Sequence, residues 1–388
     1  MATRPIGAIL SIALHSRALR RMTKTTRDIP RVETGGLGPR SRLIVREREP
    51  LNLEFPFDQL DGRLTPNDLF FVRSHFPAPR LDLREYRLNI EGAVRQSYRL
   101  GLPELMAMPA VTRPATLECA GNGRIFLAPK AKGVQWQLGA VGTADWTGVP
   151  LPALLERAGV EADASEIVLE GADRGTPNED PMPPGETQYA RSIPMSKAAD
   201  VLIAYAMNGE ALTVDHGYPV RAVVRGHYGM ASVKWLTHIR AATESFQGYW
   251  QTTDYAYWNC EHGNPVRRPL GAMALKSSIA RPRTGETLRA GSSCRIFGAA
   301  WSGGTPVVQV ELSTDAGRTW RSARFLDDAQ QFLWRRWEFD WKVPEEKRVY
   351  VLKSRATDAE GNVQPEEHDK RFGAYVIHHT LGIEVAVS

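Results

Sequence analysis

The chain is 388 residues long, with 42% hydrophobic and 24% charged residues and a formal charge of +5, a length that suits about two or three domains. Its 33 glycines and 26 prolines follow no period, which excludes a collagenous chain, and the ordinary apolar content excludes a wholly disordered one. No apolar run reaches the roughly 18–20 residues of a membrane-spanning helix, since Ile6 to Leu14 is interrupted by Ser11 and followed by His15; the chain reads as soluble, with no membrane partner.

The positive charge is local. Residues 1–50 carry eleven Lys/Arg against four Asp/Glu, a net +7, so residues 51–388 carry −2. No nucleic-acid partner is expected, and an acidic ligand must be met by a few cations placed inside a pocket. Residues 1–50 read as a basic, disordered extension. Arg20-Arg21 follow the apolar stretch, whereas an export signal puts such a pair before it. A cytoplasmic location is therefore expected, with the periplasm as the alternative.

From Leu51 onward the pattern turns to short alternating strands broken by Gly and Pro. Tyr86 to Ile90 alternates as a strand, and Leu102 to Met108 is a short helix with Pro103 in its first turn. Thr116 to Glu118 is an apolar strand end running into a Gly121-Asn122-Gly123 loop. Pro150-Leu151-Pro152 opens a second helix, which Gly159 stops in a left-handed cap. Strands follow at Glu166–Glu170, Val201–Met207 and Val220–Val224, with the turn dipeptide Asn208-Gly209 between the last two. Beyond the Pro- and Gly-containing stretch His262 to Gly271, strands at Ser293–Ala300, Val307–Ser313, Trp334–Trp341 and Val349–Ala356 alternate with turns, the spacing of a β-sandwich. The fold class is α+β, and the chain divides near residue 272.

Cys119, Cys260 and Cys294 are too few for a disulfide framework, and none stands in a CxxC or CxxCH motif. Cys119 ends an apolar strand at the glycine loop, where the backbone can be approached closely. Its thiolate is a soft donor suited to a transition metal, and Arg124 would favour the anion. The alternative from this segment alone is a buried structural cysteine.

The segment Thr116 to Arg124 resembles the molybdenum-ligating cysteine loop of the sulfite oxidase family of molybdopterin enzymes. The resemblance extends over about residues 60–385, through Phe70 to His75, Gly133 to Trp136, His216 to Arg221, Ser232 to Trp235 and Trp250 to Tyr255. It implies a mixed α/β molybdopterin-binding catalytic domain over residues 51–271 and an immunoglobulin-like dimerisation domain over 272–388. It also implies a molybdenum-molybdopterin cofactor with Cys119 as the metal's protein ligand. Arg73 and Arg124 match the family's anion-binding arginines, and Trp136 and Tyr255 match residues lining the same pocket. His75, Asp173, His216, Arg221, Ser232 and Lys234 stand where the family contacts the pterin and its phosphate.

By the same resemblance the activity is oxidation of sulfite to sulfate by oxo transfer in a homodimer. Electrons would pass to an external acceptor, a cytochrome or oxygen, because no haem is expected in this chain. Where vertebrate members place a third substrate arginine just before a glycine, Phe372 precedes Gly373, and Arg371 stands one residue off. His227 has no role in the pattern. The alternatives are a molybdopterin-dependent reductase of a sulfoxide or other oxyanion, and a binding protein that has lost catalysis.

Overall fold

The computed structural model describes residues 42–177 and 181–388. The greater part of the basic extension, with Arg20-Arg21, lies outside them. Its last part is ordered, against expectation: β1 (Ile44–Glu47) pairs antiparallel with β2 (Asn52–Glu54). Charge density suggested disorder there, but Leu43 and Leu53 are buried apolar anchors, and Arg46 forms an ion pair with Glu54 across the hairpin. Leu53 then bridges to Val72, fastening the hairpin beside the segment Phe70 to His75.

Two five-stranded sheets follow. One contains β3 (Leu88–Gly92), β4 (Tyr98–Leu100), β7 (Glu166–Gly175), β8 (Thr187–Pro194) and β12 (Leu236–Ala242) in the order β4-β3-β12-β7-β8. Only β12 and β3 run parallel in it. The other contains β5 (Val111–Glu118), β6 (Val141–Pro150), β9 (Val201–Met207), β10 (Glu210–Ala211) and β11 (Arg221–Val224), in the order β10-β9-β6-β5 with β11 also on β9. The helices Leu102–Met106 and Leu151–Ala158 are short, and Gly159 caps the second at φ 67° as expected. Asn208-Gly209 does form a tight turn, with φ of 50° and 79°, but it joins β9 to the two-residue β10 rather than directly to β11. β9 reads as one apolar run because all seven residues are buried.

After the hairpin β13 (Ala256–Glu261) and β14 (Asn264–Pro269), the remaining strands form a sandwich. One sheet has the order β15 (Lys276–Arg281), β17 (Ser293–Trp301), β21 (Arg335–Lys342), β20 (Arg324–Phe325). The facing sheet has the order β16 (Thr287–Leu288), β23 (Ile383–Val387), β22 (Val349–Asp358), β18 (Val307–Ser313), β19 (Arg321–Ser322). Period-2 alternation sends Ile296, Val310, Leu312, Trp337, Leu352 and Val385 into the core between them. Trp334, Trp337 and Trp341 are all buried within the chain, so they are packing residues and do not mark an outer face. Among the described residues no helix is long and apolar enough to cross a membrane.

His227 has a structural place. It makes an isolated antiparallel bridge to Ala272, and its ring packs on Gly271. Burial, then Lys197, pulls the imidazole down to about 4, whereas an unfolded histidine titrates near 6.5. The stability tied to its neutral form is therefore complete above pH 6.5 and is lost as the pH falls towards 4. Lowering the pH from 7 to 5 should cost about 2 kcal/mol through this group alone. In His227→Gln the fall in unfolding midpoint between those pH values should be smaller than in the wild type, measured by thermal denaturation; an equal fall would show that other groups carry the acid response.

Candidate active site

Strand β5 explains how the cysteine loop is held. Alternation turns Ala115, Leu117 and Cys119 into one apolar cluster, with Phe70, Phe71, Val134 and Trp136. The intervening residues face the sandwich. Thr116 N donates to Phe332 O at 2.9 Å, and Ala120 O accepts from Val376 N at 2.8 Å. Between them Glu118, 1% exposed, accepts from Lys276 Nζ at 2.9 Å, Asn122 Nδ2 at 3.0 Å and Trp301 Nε1 at 2.8 Å. Lys276 Nζ also donates to Asn122 O at 3.0 Å.

Past Cys119 the loop turns back on itself. Gly123 has φ of 98°, and a Cβ on Gly121 or Gly133 would lie 2.4 or 2.6 Å from the Arg124 guanidinium. What approaches the glycine backbone is thus the chain's own arginine. Arg124 Nε donates to Ala374 O and Nη1 to Val134 O, both at 3.0 Å, and its guanidinium lies over the Tyr375 ring.

Two cavities share Arg73, His75, Cys119 and Tyr255 on their walls. The inner one, about 60 Å³, is also lined by Asp173, His216, Arg221, Ser232 and Lys234. Every residue expected to hold the pterin and its phosphate is therefore gathered on one wall system with the thiol. The outer one, about 450 Å³, adds Arg124 and Tyr375. Trp136 departs from expectation: it lines neither cavity, is fully buried behind them, and its Nε1 has no partner. Packing in the Phe70–Phe71 cluster explains this. Arg371 is exposed, bound to Asp369 and Asn259, and lines neither cavity.

Cations and two carboxylates, Asp173 and Asp215, share the inner wall. Among the described residues none of Arg73, Arg124, Arg221 and Lys234 makes an ion pair. Arg221 donates to the carbonyls of His216 and Ser232, both at 3.0 Å, and Lys234 Nζ to Ser74 Oγ at 2.8 Å and Asp215 O at 2.9 Å. Burial lowers the pKa of both cations and raises that of Asp173. His75 is held well below its ordinary value by burial, then by Arg73 and Lys234, so it is neutral. Its Nε2 meets Tyr255 Oη at 2.6 Å, and its ring stacks on Tyr189. Burial keeps the Tyr255 phenol protonated against the pull of Arg73.

Tyr255 leaves a π-helical turn, Tyr249–Asp254. Arg191, which the sequence reading passed over, is 1% exposed and bonds Trp250 O and, at 2.7 Å, Leu270 O. It thus holds both ends of the segment carrying Tyr255 and β13–β14. A single charge inside an otherwise uncharged strand, β8, was the available signal.

A molybdopterin group fits this chemistry. It would present a metal to the Cys119 thiol, a phosphate to the guanidinium of Arg221 and the ammonium of Lys234, and amine donors to Asp173 Oδ1, which is buried without a partner. Chemistry rather than volume carries the fit, because the inner cavity is only about 60 Å³.

The comparisons agree. Residues 75–250 match the model of the oxidoreductase molybdopterin binding domain, and residues 267–376 that of the Mo-co oxidoreductase dimerisation domain. The chain is 32% identical to sulfite oxidase of Arabidopsis thaliana over 353 residues, 84% of this chain and 88% of that one. It belongs to the sulfite oxidase family of molybdopterin oxidoreductases. It is 36% identical to mitochondrial sulfite oxidase of Mus musculus over 345 residues, 84% of this chain, but spans only 61% of that protein's length. The crystal structure of the sulfane dehydrogenase SoxCD from Paracoccus pantotrophus superposes with a TM-score of 0.74 at 28% identity, covering 99% of this chain and 93% of that one. The α+β architecture, a molybdopterin-binding domain followed by an immunoglobulin-like sandwich, is that of the family.

The Glu118–Lys276 pair crosses between those two parts beneath the cysteine loop. Lys276→Met strands a buried carboxylate and should destabilise by about 3–5 kcal/mol. The double variant Glu118→Gln, Lys276→Met should recover most of that loss in unfolding midpoint; a double variant as unstable as the single would show that the pair is not the source.

Proposed function

We propose that this chain oxidises sulfite to sulfate and passes the electrons to an external acceptor, a cytochrome or oxygen. The observation that carries the reading is the Cys119 thiol common to both cavities, with the guanidinium groups of Arg73 and Arg124 on the walls beside it and neither held by a carboxylate. When bound, the molybdopterin group supplies two-electron oxo-transfer chemistry. Cys119 would hold the metal. Asp173 and His75 would meet the pterin, and His216, Arg221, Ser232 and Lys234 the phosphate end.

The remaining roles fall to this chain's own side chains. Arg73 and Arg124 hold the anion, since a guanidinium fork suits a pair of oxygens. Arg124 has committed one edge to Ala374 and Val134, which fixes its orientation before an anion arrives. Tyr255 keeps its proton and donates a hydrogen bond to an oxyanion; the His75 contact directs the phenol. Trp136 acts only as packing behind the thiol.

The test is the protein purified from a host that makes the cofactor. About one molybdenum per chain is expected, lost in Cys119→Ala and kept in Cys260→Ala, the latter thiol being exposed on β13. Arg124→Gln should keep molybdenum and lower kcat/KM for sulfite roughly ten- to a hundredfold, the worth of a charge-assisted hydrogen bond. Wild-type kcat/KM in that variant would sink the assignment, and sulfoxide reduction without sulfite oxidation would favour the reductase reading.

The match of residues 267–376 to a dimerisation domain supports a homodimer formed mainly through residues 275–388. Light scattering at micromolar concentration should give twice the mass of one chain; a monomer would count against it.

A further inference from the structure

The outer cavity carries a charge pattern that sulfite does not use. At about 450 Å³ it falls in the range of pockets that take organic ligands, roughly 300–1,000 Å³, far more room than a small inorganic dianion needs. Arg73 and Arg124 line it near Cys119, and so do three carboxylates: Glu47, Glu49 and Asp254. The three line only the outer cavity, whereas Cys119 and Arg73 are common to both. Arg124 also lines only the outer cavity, so cations and carboxylates share its walls.

Two of the carboxylates are held in place. Asn52 Nδ2 donates to Glu47 at 2.7 Å, and Tyr375 Oη donates to Asp254 Oδ1 at 2.7 Å. Neither Glu47 nor Glu49 makes an ion pair among the described residues. A dianion drawn in by the arginines is repelled by these groups, while a ligand anionic at one end and cationic at the other satisfies both.

We propose that the outer cavity takes a zwitterionic organic sulfur oxyanion, an ammonioalkyl sulfinate, with its oxyanion on Arg73 and Arg124 and its ammonium against Glu47, Glu49 and Asp254. The proposal rests on the oxidoreductase reading above. A sulfinate and water give a sulfonate, two protons and two electrons. One S–O bond forms with the water-derived oxygen, the carbon–sulfur bond is kept, the protons go to solvent, and the electrons go to the external acceptor.

The test uses the holoenzyme near pH 7.5 with ferricyanide as acceptor and compares 2-aminoethanesulfinate, ethanesulfinate and sulfite. The amino compound should exceed ethanesulfinate in kcat/KM by about ten- to a hundredfold. In Glu47→Gln, Glu49→Gln that ratio should fall towards one, while kcat/KM for sulfite rises because two repelling charges are gone. Equal kcat/KM for the two sulfinates in the wild type overturns the proposal, as does a ratio the double variant leaves unchanged. Calorimetry with the unreactive sulfonates separates recognition from turnover. Tighter binding of 2-aminoethanesulfonate than of ethanesulfonate, lost in the variant, supports the charge arrangement even where sulfite is not oxidised, an outcome that would overturn only the oxidoreductase reading. Indistinguishable binding of the two sulfonates overturns the charge arrangement even where sulfite is oxidised.

Discussion

The site depends on the alternation of one strand. Along β5 the odd positions 115, 117 and 119 enter the apolar cluster behind the cavities, and the even positions 116, 118 and 120 are gripped by the sandwich. A shift of one residue would exchange the two sets, burying the thiol against the sandwich and turning Glu118 into an apolar cluster with no donor. The buried carboxylate makes that exchange costly, since in the present register it has three donors, one of them a cation. Register and thiol position are thus set together, and by residues from outside the sheet that carries the thiol.

The second constraint is uncompensated charge. Arg73, Arg221 and Lys234 line the inner cavity with backbone carbonyls, an amide oxygen and one hydroxyl for partners. Carbonyls orient a cation without neutralising it, so these cations stay able to take an anionic ligand. The neutral His75 and the protonated Tyr255 follow from the same field and the same burial. Cations that fix anions and a phenol that keeps its proton are consequences of one arrangement.

The C-terminal segment connects these features. Ala374 O, Tyr375 and Val376 N touch Arg124, Asp254 and Ala120 in turn. The sandwich therefore contributes the Tyr375 phenol to the wall of the outer cavity. Arg371 lies in a 3₁₀ turn with its guanidinium bound to Asp369, which keeps it at the surface.

Much of this was legible in the sequence. Local periodicity marked β9, β17, β18 and β22, and the Gly159 cap, because strands with a buried face and helix ends write their geometry into neighbouring residues. The motifs named Cys119, Arg73, Arg124, Tyr255 and the residues of the inner cavity, which the fold brings together from β11, from 3₁₀ turns and from loops far apart in the chain. Three things were decided only in three dimensions. β1 is stable because Leu53 and Glu54 find partners in distant segments, which composition cannot register. Trp136 falls behind the cavity because packing against Phe70 and Phe71 sets its direction. Glu118, Arg191 and Tyr375 owe their importance to partners about 80 to 250 residues away, Lys276, Leu270 and Arg124. A strand records which of its faces is buried; only the folded chain supplies what each face is buried against.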